Sequence, residues 1–194
     1  MKFAIILFVL ICFTAFGDTV WYYPFTELGA DWEFSVWDST ATGLSYTGDI
    51  YGGYIDGVTA SSGDLTLPAG VDSFTVEMWS GYDHDGIVMD AGIDTELKAT
   101  VYTPNAHYTI FWETMSNSGW DRSSFYESDT TFVSETIQPD GDNTISLEFF
   151  TEMTGWGWLY EADLYWGLWD VTITGHEDTE LSRSTWAGIK SCLQ

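Results

Sequence analysis

Basic residues are scarce in this chain. Five Lys and Arg stand against 30 Asp and Glu, which gives a formal net charge of −25 at pH 7. Such a chain is repelled by phosphate backbones and by anionic lipid, so its charge argues against nucleic-acid binding and against electrostatic docking on a membrane.

Cysteine is equally scarce. Cys12 lies in an apolar N-terminal segment and Cys192 lies two residues from the end. Once the N-terminal segment is removed, no internal disulfide can form, so stability must come from the core or from bound ions. Cys192 is then either a tolerated thiol in the tail or a partner for a cysteine of another molecule.

Long hydrophobic runs are absent beyond the N-terminus. Residues 1–17 combine Lys2, an apolar stretch and the small residues Ala15 and Gly17, the pattern of a signal peptide cleaved before Asp18. The stretch is too short for a good transmembrane helix. Lipidation at Cys12 is an alternative, but Ile11 stands where a small residue is expected. We therefore predict a secreted protein, extracellular or in the cell envelope, with no membrane insertion.

Motifs for catalysis are also lacking. The histidines are too scattered for a metal-binding helix, and no nucleophile elbow or phosphate loop with Lys occurs. Glu161 and Asp163 resemble the acidic strand of laminarinase-like hydrolases, in which alternate acids project into a cleft and a third acid follows. Trp166 stands in place of that final Glu. The sequence predicts no catalytic residues, with a glycoside hydrolase as the minor alternative.

Aromatic residues and alternating strands are abundant. The chain has 11 Trp, 11 Tyr and 12 Phe. Apolar residues recur at every second position in several short segments, separated by turns rich in Gly, Asn, Asp and Pro. Phe74, Val76 and Met78 form one such set and are expected to share a face, and Trp169, Val171 and Ile173 form another. This pattern predicts an all-β fold for residues 18–175, a two-sheet antiparallel β-sandwich of about ten short strands. The tail, residues 176–194, is predicted to be a short C-terminal helix or a flexible extension.

Three stretches of the body carry a family resemblance. Residues 51–86 run from a polar surface segment into DSFTVEMWSGYDHDG, residues 143–152 form NTISLEFFTE, and residues 164–177 form LYWGLWDVTITGHE. Residues 25–175 thus resemble the MAM-like and cleaved-adhesin jelly-roll domains of secreted proteins, which are similar in fold to carbohydrate-binding modules. In the last stretch Trp169 replaces an acid usual in the family, and Asp170 remains. The resemblance implies an adhesive or ligand-binding domain, often with a structural calcium ion.

Calcium is the cofactor that the acidic composition favours, because hard cations bind several carboxylate oxygens. Asp83 and Asp85 form one acidic segment, and residues 140–143 form another. The family resemblance adds Glu27 and Asp170 as the positions that tie the first strand to the last. The alternative is that these acids only cap turns.

Exposed aromatic rings are the other candidate site. Trp156, Trp158 and Tyr160 alternate with other residues and would share one strand face, and Trp120, Trp32 and Trp37 are further candidates. Most Trp side chains are expected in the core, because a sandwich without disulfides must bury large side chains. Two or three are expected at the surface.

Two functions remain open. The first is a secreted non-catalytic binding or adhesion domain that recognises a polysaccharide or cell-surface glycan by stacking on aromatic rings. The second is a structural, self-assembling subunit of the cell surface, whose rings and edge strands bury against copies of itself as a homo-oligomer. The two differ in where the rings lie relative to polar groups.

Overall fold

Nine strands and no helix make up the part of the chain described by the computed structural model, residues 20–25, 37–140 and 143–176, with the backbone alone for residues 20–24 and 54–56. No segment within these ranges forms a helix able to span a membrane. The predicted signal peptide, Glu27, Trp32 and the tail beyond His176 lie outside the described residues. The strands are β1 (Val20–Pro24), β2 (Trp37–Ser39), β3 (Leu44–Tyr51), β4 (Tyr54–Ser61), β5 (Leu65–Thr66), β6 (Ser73–Tyr102), β7 (His107–Gly119), β8 (Ser123–Ile137) and β9 (Thr144–His176).

Strands β6 and β9 form the centre of the fold. They pair antiparallel along their whole lengths, from Ser73 opposite His176 to Tyr102 opposite Ser146. On its other side β6 pairs first with β8 and then with β7. The free side of β9 pairs in turn with β5, β4, β3 and β1, and β2 adds to β3. The strands therefore form one continuous antiparallel network.

The network folds over into two layers. His84 and Thr95 lie on the same strand, yet the His84 Nε2 and the Thr95 Oγ1 are 3.3 Å apart. The Trp166 ring likewise lies 6.1 Å from the Phe111 ring and 6.5 Å from the Phe149 ring, centroid to centroid. Layer I comprises β6 residues 73–88, β9 residues 160–176, β1, β2, β3 and β8; layer II comprises β6 residues 91–102, β9 residues 144–156, β4, β5 and β7.

A sharp bend joins the layers. Asp90 of β6 has a φ of 48° and Gly157 of β9 a φ of 102°. A Cβ added at Gly157 would lie 2.4 Å from the Asp90 carbonyl oxygen, so the two strands approach here as closely as only glycine allows. The predicted all-β antiparallel fold is confirmed. The prediction of short strands is wrong for β6 and β9, because both strands continue through the bend instead of ending in a turn.

The core lies between the layers and is mostly aliphatic. Alternate residues point inward, among them Phe74, Val76 and Met78 of β6, as their alternation predicted. At the centre the Trp166 indole is fully buried and its N–H donates to the Ser80 hydroxyl over 2.9 Å. A buried indole needs such an acceptor, since an unpaired N–H would cost about 1–3 kcal/mol.

Asp170 forms a bulge in β9. Its φ is 54°, and the pairing with β6 shifts register between Glu77 and Trp79. One extra residue in β9 reverses the alternation, so Val171 is fully buried whereas Trp169 is only partly buried. The prediction that Trp169 shares a face with Val171 is therefore wrong.

Candidate functional site

Aromatic side chains cover much of the molecular surface. Within the described ranges five Trp are exposed, more than the two or three expected, because aliphatic residues fill most of the interior and the outer faces of both layers carry rings. The exposed large side chains are Tyr51, Trp79, Tyr102, Tyr108, Trp112, Trp120, Tyr126, Phe132, Trp156, Trp158 and Tyr165.

The outer face of layer I contains a shallow trough. Gly81 of β6 and Gly167 of β9 lie opposite each other in register. Two neighbouring residues without side chains leave room for other groups to approach the sheet. A cavity of about 420 Å³ lies beside them, and Trp169, Tyr165, Asp83 and Thr130 are among the residues lining it. We call this surface the glycine trough.

Two rings lie over the glycines of the trough. A Cβ added at Gly81 would lie 2.7 Å from Cη2 at the end of the Trp169 ring, and one added at Gly167 would lie 2.7 Å from the Tyr165 hydroxyl oxygen and 3.2 Å from ring carbon Cε1. Both rings therefore occupy the space that other residues would fill with a side chain. Tyr165 nevertheless keeps 44% of its surface exposed. Glycine allows these rings to rest on the backbone while remaining open to solvent.

More aromatic rings extend the trough on one side. Trp79 pairs in register with Phe132 of β8 and with Trp169 of β9, which places three rings in a row across three strands. The Trp79 and Phe132 rings are 5.2 Å apart at an interplanar angle of 53°. Tilted ring pairs of this kind are favourable, and they hold each ring in a fixed orientation.

Acidic and hydroxyl groups border the opposite side. The Tyr126 hydroxyl donates to Asp83 Oδ1 over 2.9 Å, which leaves the other carboxylate oxygen of Asp83 available as an acceptor. Next to this pair, Asp85, Asp163 and Asp49 lie in register on β6, β9 and β3, and all three are exposed. Tyr82, between Gly81 and Asp83, packs against the core, and this burial, reinforced by nearby carboxylates, raises the pKa of its hydroxyl.

The trough carries no basic group. Within the described ranges the basic residues are Lys98, in layer II, and Arg122, between β7 and β8. The described part of the outer face of layer I therefore carries carboxylates but no Lys or Arg. Such a face attracts cations and repels anions, and it offers many hydrogen-bond acceptors to an uncharged polar ligand.

Three of the predicted binding residues lie together at the bend. Trp156 and Trp158 are 54% and 73% exposed, and Trp120 is 86% exposed. The carbonyl oxygen of Trp120 accepts the Asp90 N–H over 3.3 Å, which places its backbone beside the bend.

Two other predicted binding residues, Tyr160 and Trp37, are buried. Tyr160 is buried and its hydroxyl donates to the Gly53 carbonyl oxygen over 2.7 Å, because the alternation of β9 changes phase at Gly157. Trp37 is buried against Tyr46 and Trp166, with both ring centroids 5.4 Å away. Neither ring is open to a ligand.

The proposed calcium ligands are spread over the structure. Asp83 and Asp85 are exposed on one face of β6, Asp170 occupies the bulge in β9, and Glu27 lies outside the described residues. Among the described residues, no group of three or more His, Cys, Asp or Glu side chains is arranged to hold a metal ion. Calcium binding by Glu27 and Asp170 stays a prediction.

Sequence reasoning missed the trough itself. Trp79, Phe132, Tyr165 and Trp169 were not among the predicted binding residues. A usable signal is the glycine inside a strand beside aromatic residues, which occurs in both WSGY and YWGLW. Glycine at such a position marks a close approach of another group to the backbone.

No protein-family model matches the chain, and no curated protein matches it. The family resemblance noted in the sequence therefore stays a prediction at the level of MAM-like or adhesin domains. Among solved structures, the chain is similar to a CBM61 module in complex with β-1,4-galactotriose, with 12% identity, coverage of 81% of this chain and 84% of the module, and a TM-score of 0.30.

Two further solved structures show a similar degree of likeness. A non-crystalline cellulose specific carbohydrate-binding module, CBM28, is 10% identical, with coverage of 70% and 76% and a TM-score of 0.31. A structure of infectious bursal disease virus is 14% identical, with coverage of 84% of this chain and 38% of the viral one, and a TM-score of 0.29. At these scores the likeness assigns no function, so the function is inferred from the chain's own residues.

Proposed function

We propose that this chain is an exported, non-catalytic domain that binds an uncharged polysaccharide in the glycine trough. The supporting observation is the pair of rings, Trp169 and Tyr165, that lie over paired glycines with hydroxyl and carboxylate groups beside them. A sugar ring has one apolar face and a polar rim. Rigid aromatic rings bind the first and hydrogen-bond acceptors bind the second.

Charge selects among polysaccharides. The net charge of −25 and the acidic outer face of layer I repel sulfated or carboxylated polymers. An uncharged polymer loses nothing to this repulsion, and its hydroxyl groups can donate to Asp83 and its neighbours. We therefore expect neutral polysaccharides to bind and anionic polymers with the same backbone to bind weakly.

The first experiment compares polymers by affinity electrophoresis. The protein is run through gels containing hydroxyethyl cellulose, β-1,4-galactan, β-1,3-glucan or mannan, and through gels with carboxymethyl cellulose or polygalacturonate as anionic counterparts. We expect retardation by at least one neutral polymer and none by its anionic counterpart. Unretarded migration in every neutral gel would contradict the proposal.

Variants then locate the site. The double substitution Tyr165→Ala with Trp169→Ala removes both rings over the glycines, and we expect it to weaken binding at least tenfold, or about 1.4 kcal/mol. Trp112→Ala is the matched control, because Trp112 is 66% exposed but lies in layer II. Equal loss in both variants would assign the effect to general surface aromaticity and contradict a site at the trough.

Self-assembly is the alternative function, and it can be tested with the same protein. The free edges of β7 and β8 face no partner strand within the described ranges, and such edges can pair with a second copy. The charge of each copy opposes this pairing. Size-exclusion chromatography with light scattering at physiological salt is expected to show a monomer. A stable oligomer whose formation does not change glycan retardation would favour the structural role.

A further inference from the structure

The bend between the layers carries a second set of exposed rings, Trp120, Trp156 and Trp158, which we call the bend cluster. Asp90 lies next to two of them. Its N–H donates to the Trp120 carbonyl oxygen. It also lies opposite Trp158, because the neighbouring pairs in register are Met89 with Leu159 and Ala91 with Gly157. With 86%, 54% and 73% of their surfaces exposed, the three indoles contribute little to the core. Leaving such large apolar side chains in water forgoes the free energy of their burial.

One indole of the bend cluster repeats the arrangement found in the glycine trough. A Cβ added at Gly92 would lie 2.5 Å from Cζ2 and 2.6 Å from Cε2 of the Trp156 ring, so this ring lies over a glycine of the neighbouring strand. The same relation holds between Trp169 and Gly81. Two separate surfaces of one chain therefore hold an indole against the backbone with its other face open.

The glycine trough and the bend cluster are too far apart, and on faces too different, to form one continuous binding site. Gly81 and Asp90 are nine residues apart on β6, which corresponds to about 30 Å along the strand at about 3.3 Å per residue. Trp169 belongs to the outer face of layer I, whereas Trp156 belongs to the outer face of layer II. Because the layers pack with their inner faces together, these outer faces point in opposite directions.

Charge identifies the occupant of the bend cluster. A second copy of this chain would bring another net charge of −25 against Asp90 and Asp121, which flank the rings. A neutral glycan meets no such repulsion, and the acids beside the rings can accept hydrogen bonds from its hydroxyl groups. Arg122 also lies in the segment after Trp120, but Asp90, Asp121 and the net charge of the chain outweigh it, so an anionic polymer is disfavoured here too.

We propose that the bend cluster is a second glycan-binding surface and that one chain bridges two polysaccharide strands. This inference rests on the proposed function of the trough. It adds an activity that a single site does not have, because two separate sites on one chain convert soluble polymer into a cross-linked network.

The test measures binding and bridging separately, with the neutral polysaccharide that retards the wild-type protein most. Binding is measured by affinity electrophoresis, and bridging by the turbidity of the polymer as protein is added. The bend variant is Trp120→Ala with Trp158→Ala, the two most exposed indoles. The trough variant is Tyr165→Ala with Trp169→Ala, and Trp112→Ala is the control.

We expect the wild type and Trp112→Ala to produce turbidity that rises and then falls with increasing protein. Each double variant should still be retarded, although less than the wild type, and should produce at least tenfold less turbidity. Thermal melting and circular dichroism establish that both variants are folded. Gly92→Ala, which displaces the Trp156 ring without removing an indole, supplies an independent variant and should also lower turbidity.

Several results would overturn the inference. Wild-type turbidity in the bend variant would show that the bend cluster does not bridge. Complete loss of retardation in the trough variant would show that the trough is the whole site, and the proposed function would then stand without the second surface. If no neutral polymer retards the wild type, the proposed function itself fails.

Discussion

Placing a single methyl group at Gly81 tests whether the flat position of the Trp169 ring matters. The added Cβ would lie 2.7 Å from the end of the ring, whereas carbon atoms in contact prefer about 3.5–4.0 Å. The ring must therefore move by about 1 Å, away from the sheet. The φ of Gly81 is not positive, so alanine fits the backbone there without strain.

The size of the effect follows from the displacement. A gap of 0.5–1 Å forfeits about a quarter to a half of the dispersion energy of a contact. If stacking on this ring is worth about 2 kcal/mol, as for a base on an aromatic side chain, Gly81→Ala weakens binding by about 0.5–1 kcal/mol, or about two- to fivefold. Displacement of the ring opposes folding, whereas alanine favours it by restricting the unfolded chain more than glycine does. The free energy of unfolding should therefore change by less than about 1 kcal/mol.

Isothermal titration with the best neutral oligosaccharide measures the affinity, and thermal melting measures stability. Gly53→Ala is the matched control, since a Cβ there approaches no atom closer than 4.0 Å. Trp169→Ala gives the effect of losing the whole ring. Wild-type affinity in Gly81→Ala, together with a tenfold loss in Trp169→Ala, would refute the reasoning that the flat ring position matters.

Three further predictions concern stability and metal. Burial lowers the pKa of His84 in the folded protein. As the pH falls below about 6.5, the unfolded chain therefore binds a proton at this histidine before the folded chain does. The free energy of unfolding should drop by up to about 1.4 kcal/mol per pH unit until His84 also titrates in the folded state. Denaturant titrations at several pH values should show a flatter profile in His84→Gln and an unchanged one in His107→Gln, an exposed control; a wild-type profile in His84→Gln would contradict this origin. Tyr160→Phe removes the hydrogen bond to Gly53 and should cost about 1 kcal/mol, or about 2–4 °C in Tm, with unchanged glycan affinity; a loss of affinity would restore Tyr160 as a binding residue. If Glu27 and Asp170 hold calcium, dialysis against EDTA should lower the Tm and added calcium should restore it, and an unchanged Tm would count against a structural ion.

The sequence predicts the fold class well because alternation is local information. Phe74, Val76 and Met78 were expected on one face, and they are buried together. The path of β6 and β9 through two layers is not local, because it depends on a bend that forms where Asp90 meets Gly157. Gly155 and Gly157 mark the position of the bend in β9, but they do not reveal that the strand continues through it into a second layer.

The candidate site was predicted only in part for the same reason. Trp120, Trp156 and Trp158 are exposed as expected, and each follows a glycine in the sequence. The glycine trough requires Gly81 to face Gly167, and this pairing follows from the register of two strands far apart in sequence. Tyr160 was misplaced because a positive φ at Gly157 changes the phase of the alternation, which spacing alone does not reveal.

The sharing of β6 and β9 by both layers has a consequence for how the molecule melts. In a sandwich made of two separate sheets, one sheet can loosen while the other keeps its hydrogen bonds. Here every other strand except β2, which attaches through β3, is held by one of these two strands, so fraying at either end propagates along a common pair. Heat and denaturant should therefore produce a single transition for both layers, with coincident midpoints for tryptophan fluorescence and for backbone circular dichroism.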